Sequence, residues 1–405
     1  MKLGPFLRLN APWLAAGGLL TFLSSFGQTF FISIFAGEIR SEFGLSHGEW
    51  GGIYSLGTTT SAIVMIWTGA LTDRFRVRGL GALILLALAG ACIAMASVKA
   101  AWALVFVIFA LRFTGQGMTS HIAVVAMARW FVATRGRALA IATLGFSVGE
   151  ALLPVLFVAL MAFVDWRVLW IIAAIIALAG IPVLSLLLRN ERTPQSMAHE
   201  NPSLGMFGRH WTRNQTLRHP LFWFLIPALL GPSAFGTALF FHQVHYAEIK
   251  GWEHVQLVSL FPLYTLFGIG SMLISGWALD RFGTPRLMPF FQLPMVLAFV
   301  AFGMTTSISG ALIGFFFMAL TTGANSTLPN AFWAEFYGTQ NIGSIKAMAA
   351  AVMVFGSSIG PGITGVLIDL GMEWDTQMFA IAAYFVLTTV MMTVGITRYK
   401  TALIA

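Results

Sequence analysis

Charged residues are scarce in this sequence. Asp, Glu, Lys and Arg together make up 9% of the 405 residues, whereas a soluble domain carries about 25%. A chain with so few charges cannot cover itself with a water-facing surface, which excludes a soluble enzyme, a nucleic-acid-binding protein and a disordered chain. The sequence is instead 58% hydrophobic, with a mean hydropathy of +0.83. This composition predicts a membrane protein that is surrounded by lipid.

Cysteine is almost absent, and phosphate-binding motifs are missing. Cys92 is the single cysteine and lies in an apolar run, so there is no disulfide framework and no thiolate metal cluster. The sequence has no Gly-rich phosphate loop ending in Gly-Lys-Ser/Thr. An intramembrane protease needs a partnered nucleophile or paired carboxylates, and one membrane carboxylate is evident. We therefore expect no enzyme activity, no cofactor and no metal site.

Long apolar runs follow one another along the chain. A span needs about 20 apolar residues, and only helices or closed barrels satisfy their backbone groups in lipid. The runs are too long for barrel strands, so the sequence predicts an all-α membrane protein with twelve transmembrane helices. We place helices 1 to 12 at residues 11–36, 49–71, 79–98, 101–128, 138–163, 166–188, 219–247, 255–279, 286–306, 309–334, 342–368 and 375–397.

Basic residues set the expected orientation. With the N-terminus in the cytoplasm, most of the 23 Lys and Arg residues fall in cytoplasmic segments, and Arg40, Lys99, Arg167 and Lys250 fall on the opposite side. Cytoplasmic loops are enriched in Lys and Arg, so both termini are expected in the cytoplasm. The net charge of +8 has the same cause. We expect a monomer in a bacterial inner membrane.

The sequence divides into two halves around a polar stretch. Residues 189–218 are rich in Arg, Asn and Pro, which predicts a cytoplasmic linker between two six-helix halves, residues 1–188 and 219–405. Each half carries Asp-Arg after its second helix and Gly-x-x-x-Gly in its fifth. These motifs are Asp73-Arg74 and Asp280-Arg281 in the loops, and Gly145 to Gly149 and Gly356 to Gly360 in the helices. Four motifs in matching order indicate duplication and two pseudo-symmetric halves.

These motifs resemble those of the major facilitator superfamily. The Asp-Arg loops are similar to its signature, and Arg112-Phe113-Thr114-Gly115-Gln116-Gly117 in helix 4 resembles its Arg-containing motif. The resemblance covers the whole chain. It implies a secondary active transporter that moves a small solute by alternating access of its two halves.

Two branches of that superfamily are resembled. Arg129-Trp130-Phe131 and the stretch from Trp333 to Gly338 resemble the monocarboxylate and oxalate–formate branch, whose carriers use a basic residue in helix 8, but helix 8 lacks one here. The stretch from Ser25 to Ser33 resembles a bacterial branch of copper and riboflavin importers, but the Met and His spacing of the copper members is missing. An organic solute is favoured, with a copper importer and a monocarboxylate carrier as alternatives.

Two charged residues fall far from the ends of predicted spans. Charge at membrane depth is costly and points to function, and Arg112 in helix 4 and Glu150 in helix 5 are the two cases. Adjacent helices would let them pair, and a carboxylate buried in lipid changes protonation nearer neutral pH than one in water. We expect proton coupling there. A fixed structural ion pair is the alternative.

Uncharged polar side chains at mid-depth are candidates for a central cavity, because an amide in lipid needs a partner. They are Gln28, Tyr54, Gln116, Tyr264, Asn325 and Asn330. His242 and His245 end helix 7 three residues apart and are candidates for an outer-side cavity, since His titrates near neutral pH. An ordinary polar helix end at the membrane surface is the equal alternative.

The Asp-Arg loops are candidates for gating. The family resemblance implies that Asp73, Arg74, Asp280 and Arg281 contact charged neighbours in one conformation and release them in another. Glu335, near the end of helix 10, is a possible partner. Ordinary basic anchoring of cytoplasmic loops is the alternative.

Overall fold

The computed structural model describes residues 3–69, 71–131, 135–190, 204–338 and 341–403. Over these ranges the chain is almost entirely helical. It divides into two compact units, Met1–His199 and Glu200–Ala405. The prediction of an all-α protein with two six-helix halves is confirmed.

Six helices build the first unit, and two of them are irregular. The long regular helices are helix 2, His47–Thr68; helix 3, Val77–Ser97; helix 5, Arg135–Met161; and helix 6, Trp166–Leu187. Helix 1 runs over Leu3–Leu23, breaks, and continues as Thr29–Ile32 and Ala36–Phe43. Helix 4 runs over Leu104–Leu111, a π-helix Arg112–Thr119, and Ser120–Trp130. The sequence predicted helices 1 and 4 as uninterrupted, so these two interruptions are corrections.

The second unit repeats this arrangement. Helix 7 comprises Pro220–Phe241 and Gln243–Lys250, and helix 8 comprises His254–Val258 and Phe261–Phe282. Helix 9 is short, Leu293–Met304, and helix 10 is broken into Ile308–Asn325 and Leu328–Tyr337. Helix 11 is Ile342–Asp369 and helix 12 is Trp374–Tyr399.

Ten helices of the described chain are long and apolar enough to cross a membrane. Helix 9 is a shorter apolar helix. Helix 2 has the length of a span but is rich in Gly, Ser and Thr. Its Thr60 and Thr68 hydroxyls donate to the carbonyls of Leu56 and Val64 one turn earlier, at 2.8 and 3.0 Å, which satisfies these polar groups within the helix.

The Gly-x-x-x-Gly motifs lie where two helices come closest. A β-carbon at Gly145 would lie 2.8 Å from the carbonyl carbon of Gly18, so helix 5 packs its backbone against helix 1. A β-carbon at Gly360 would lie 2.7 Å from the carbonyl carbon of Ala234, so helix 11 packs equally closely against helix 7. Small residues permit such approach in membrane helices. Duplicated motifs therefore make the same contact in each unit.

Equivalent helices also form the remaining pairs in the two units. In the first unit helix 2 packs on helix 4 and helix 3 on helix 6, and in the second unit helix 8 packs on helix 10 and helix 9 on helix 12. With the pairs 1–5 and 7–11 included, each helix pair of the first unit has an equivalent pair within the second unit. The pseudo-symmetry predicted from four short motifs thus extends to the whole arrangement of helices.

Part of the predicted linker is folded onto the second unit. Trp211 is 3% exposed; its backbone amide donates to the carbonyl of Tyr337 at 3.0 Å, and its ring nitrogen to that of Met206 at 3.2 Å. Asn341 donates to the Trp211 carbonyl at 3.1 Å. Residues 204–218 therefore cover the end of helix 10, and the stretch 191–203 lies outside the described residues.

Candidate functional site

Helix 1 is interrupted in the middle of the first unit. Ser24–Gly27 form a 3-10 turn, Gln28 is extended with φ −88° and ψ 154°, and the helix resumes at Thr29. The amide of Gln28 donates to the carbonyl of Ser25 at 3.0 Å. A break of this kind frees backbone carbonyls from the helical pattern, and in lipid such groups require other donors.

The interruption is in direct contact with the π-helix of helix 4. A β-carbon at Gly27 would lie 2.7 Å from the Cα of Gly115 and 2.8 Å from the amide nitrogen of Gln116. A β-carbon at Gly115 would lie 2.6 Å from the Cα of Gly27. Both positions need glycine because the two backbones touch. A π-helix inserts an extra residue per turn and is frequent at functional sites.

Arg112 is the donor that reaches the freed backbone. Its side chain is 1% exposed, and its Nη1 donates to the carbonyl of Gly27 at 3.1 Å and to the hydroxyl of Thr29 at 3.3 Å. Its guanidinium carbon lies 5.3 Å from the ring centroid of Tyr54, a cation–π distance. Arg112 therefore links helices 1, 2 and 4 at one point.

Tyr54 and Thr29 complete this cluster. Tyr54 is fully buried, and its hydroxyl shares a 2.5 Å hydrogen bond with the Thr29 hydroxyl. Gln28 is 9% exposed beside them, and Gln116 is half-buried on the π-helix. Four candidates from the sequence, Arg112, Tyr54, Gln28 and Gln116, thus lie on three elements that meet at the break. The break itself was not predicted.

Glu150 lies next to the cluster without joining the bonds of Arg112. It is half-buried in helix 5 and follows Gly149, where a β-carbon would lie 3.0 Å from the β-carbon of Ser25. The hydrogen bonds of Arg112 within the described residues go to Gly27 and Thr29. Arg112 thus bonds to helix 1, and Glu150 is not among its hydrogen-bond partners within the described residues.

In the second unit the candidates surround the break in helix 10. Tyr264 in helix 8 is 4% exposed, and its hydroxyl donates to the hydroxyl of Thr322 at 3.1 Å. Asn325 is half-buried at the last residue before the break. Asn330 is exposed and donates to the carbonyl of Ser326 at 2.9 Å. Asn330 thus serves the backbone of its own broken helix.

The two histidines of helix 7 contact different helices. His242 is 3% exposed at the bend between the two parts of helix 7, and its Nε2 lies 3.0 Å from the carbonyl oxygen of Pro361 in helix 11. His245 is half-buried, and its ring centroid lies 5.8 Å from that of Trp374 in helix 12. Among the residues described, no three His, Cys, Asp or Glu side chains are placed to hold a metal ion.

Tyr246 was not foreseen from the sequence. Its hydroxyl donates to the carbonyl of Phe302 at 3.1 Å, and its ring stacks on Trp374 at 5.4 Å. The hydroxyl is thus a donor that holds helix 7 to helix 9.

The loops proposed for gating are tied to the ends of neighbouring helices. The side chains of Asp73 and Arg74 lie outside the described part of the chain. Next to them, Nη1 of Arg129 at the end of helix 4 donates to the carbonyl of Thr72 at 2.6 Å.

The corresponding loop of the second unit is described completely. Asp280 and Arg281 are both exposed, and the Arg281 guanidinium carbon lies 5.8 Å from the ring centroid of Trp277. Glu335 accepts a hydrogen bond from the hydroxyl of Thr284. Glu335 therefore contacts this loop through Thr284.

A two-unit, all-helical membrane protein with broken helices around a buried charge has the architecture of a secondary transporter. The sequence profile of the Major Facilitator Superfamily matches residues 17–361, and the chain belongs to that family. No curated protein matches the sequence.

Solved transporter structures share the fold over nearly the whole chain. A bacterial homologue of the human lysosomal transporter Spinster superposes with a TM-score of 0.74 at 16% identity, covering 97% of this chain and 98% of that chain. The nucleoside transporter NupG superposes with a TM-score of 0.71 at 12% identity, covering 96% and 98%. At these identities the likeness concerns the fold alone.

Proposed function

We propose that this transporter moves a small organic solute across a bacterial inner membrane and couples that movement to protons. The observation that carries the proposal is the buried cluster of Arg112, Thr29 and Tyr54 at the break in helix 1. Discontinuous helices with a charge at mid-depth are a typical construction of transporter binding sites. Aromatic walls with a few polar groups suit a small organic ligand.

Glu150 is the group proposed to carry the coupling proton. It lies on helix 5 beside the glycine that packs against Ser25, two residues before Gly27. A change of charge on Glu150 would act on the same stretch of helix 1 that Arg112 holds. Proton binding and the position of the break would then be linked through helix 1.

Two other substrate classes are alternatives. A monocarboxylate carrier is suggested by the resemblance of the helix 4–5 loop, although helix 8 lacks the basic residue that carriers of that branch use. A copper importer would need soft ligands near one another. The absence of three clustered His, Cys, Asp or Glu in the described ranges gives it less support.

The membrane orientation is part of the proposal. Basic residues are concentrated in the loops that carry Asp73 and Asp280 and in the segment with Arg209 and Arg213, so we assign these to the cytoplasm. The contacts of Arg129 with Thr72 and of Glu335 with Thr284 support a gating role for that face.

Transport by the purified protein in proteoliposomes tests the proposal. Uptake of monocarboxylates, riboflavin and copper is measured with and without an imposed pH gradient. We expect saturable, gradient-stimulated uptake of an organic solute, loss of the stimulation in Glu150→Gln, and its retention in Glu248→Gln, an exposed carboxylate of the second unit. Uptake with an unchanged pH profile in Glu150→Gln would refute proton coupling there, and saturable copper uptake alone would refute the organic solute.

A further inference from the structure

The guanidinium of Arg112 is buried but only partly bonded. Arg keeps its charge in proteins and has five N–H donors. Both hydrogen bonds of Arg112 within the described residues leave from Nη1, and its Nε is buried with no partner there. The edge formed by Nε and Nη2 is therefore left unused by these contacts.

The groups around Arg112 do not balance its charge. They are a backbone carbonyl, the hydroxyl of Thr29 and the ring of Tyr54, all of them uncharged. The ion pairs formed by described residues of the first unit include Glu42 with Arg167 and none with Arg112. A cation that is buried without a negative partner is costly, so the surroundings favour an anion at its free edge.

One more buried polar atom on the elements that meet at this point lacks a partner among the described residues. It is the hydroxyl oxygen of Thr58, which lies one helical turn after Tyr54, on the same face of helix 2. Folded proteins leave few buried polar atoms unpaired, and those left commonly face a water, an ion or a ligand. The Nε of Arg112 in helix 4 and the hydroxyl of Thr58 in helix 2 are two such atoms on helices that meet at Tyr54, which points to an incomplete site.

We infer that this site takes the carboxylate of an organic anion. The inference rests on the proposed function and names its substrate class: the Nε–Nη2 edge of Arg112 receives both carboxylate oxygens, and the hydroxyl of Thr58 lines the same site. A planar carboxylate matches an Arg edge with two parallel hydrogen bonds. A phosphate carries up to two charges, one more than a single guanidinium neutralises.

Thermal unfolding of the full-length protein in lipid nanodiscs tests this without requiring transport. Paired probes differ only in charge: acetate and acetamide, benzoate and benzamide, nicotinate and nicotinamide, with chloride and inorganic phosphate as further arms. A ligand that binds the folded protein raises the unfolding temperature. We expect at least one carboxylate to raise it in a saturable way and its amide not to do so.

Two variants locate the effect. Arg112→Lys keeps the charge but loses the planar edge, and we expect about 30-fold weaker half-saturation by the active carboxylate. Arg167→Lys, a paired Arg of the same unit, is the control and should keep the wild-type response. If Arg112→Lys does not fold, the comparison of acids with amides on the wild type still tests whether the protein binds a carboxylate.

Several results would overturn the inference. These are equal shifts by acids and amides, equal shifts by chloride and carboxylates, a phosphate response without a carboxylate response, no carboxylate response in any pair, or a full response in folded Arg112→Lys. Different results would refute the proposed function and the inference. A carboxylate response without gradient-driven uptake refutes proton-coupled transport alone, and gradient-driven uptake of a neutral solute without a carboxylate response refutes the inference alone.

Discussion

Glu42 and Arg167 form an ion pair of 2.5 Å that joins the end of helix 1 to the start of helix 6. The two residues are 125 positions apart in the sequence. Lys250 and Asp375, also 125 positions apart, form a pair of 2.7 Å between the end of helix 7 and the start of helix 12. The two units thus keep the same connection with its charges exchanged. The two pairs join equivalent helix ends, while the sign of the charge at each helix end is reversed.

Exchange of the charges in the first unit should therefore be tolerated. We expect Glu42→Lys alone and Arg167→Asp alone to lower the free energy of unfolding by at most about 1 kcal/mol, because both side chains are partly exposed. The double variant copies the order found in Lys250 and Asp375 and should recover most of the loss. Thermal unfolding in nanodiscs measures this, and a double variant as unstable as the sum of the two single variants would contradict it.

The same pair predicts a dependence of stability on pH. The hydrogen bond from Arg167 holds the pKa of Glu42 below its usual value. A carboxyl group whose pKa is lowered by folding adds stability above its unfolded pKa, and this stability is lost as the pH falls through the folded pKa. The difference in unfolding temperature between wild type and Glu42→Gln should thus be present at neutral pH and vanish in acid. A difference that is constant across this range would argue against the pair as its source.

The contact between helices 1 and 5 should not accept a larger residue at Gly145. A leucine there meets the backbone of Gly18, and overpacking of this kind costs about 1–3 kcal/mol or more. We expect Gly145→Leu to lower the unfolding temperature and the yield of monodisperse protein. Gly18→Ala is the matched control, since nothing lies within 4 Å of a β-carbon at Gly18. Equal behaviour of the two variants would refute the packing explanation.

The hydroxyl of Tyr54 should matter for transport more than for folding. Tyr54→Phe removes its bond to Thr29 but keeps the ring beside Arg112, and one hydrogen bond contributes about 1 kcal/mol. We expect a folded protein with weaker solute binding, seen as a higher KM in proteoliposomes. Tyr384→Phe removes a hydroxyl bonded to the carbonyl of Pro227 in the other unit and serves as control. Equal KM values for Tyr54→Phe and wild type would place this hydroxyl outside the solute site.

Features that repeat along the chain could be predicted from the sequence. Helix number, the two halves and the close packing at Gly145 and Gly360 all follow from apolar length and duplicated motifs. These features depend on residues a few positions apart, or on the same pattern appearing twice. Arg112 and Tyr54 could be named as candidates because charge and hydroxyl groups are rare at membrane depth.

The helix breaks and their partners could not be predicted. No proline marks the break at Gly27, and one glycine among 41 carries no local signal. The bond from Arg112 to Gly27 spans 85 positions, and Arg112 was expected to pair with Glu150 because the only visible acceptors were side chains. A backbone carbonyl within a regular helix is already bonded, and it can accept a bond from Arg112 only where the helix breaks. The charge pairs at the helix ends were missed for the same reason, since their partners are distant in sequence.

The contact between helices 1 and 4 depends on three residues together, Gly27, Arg112 and Gly115. A side chain at either glycine would separate the two backbones, and the arginine would then lose the carbonyl it serves. Among relatives of this protein, we expect these three positions to change together. A homologue that carries a larger residue in place of Gly27 should also have given up the arginine. The three positions could therefore sort uncharacterised relatives into those that share this solute chemistry and those that have abandoned it.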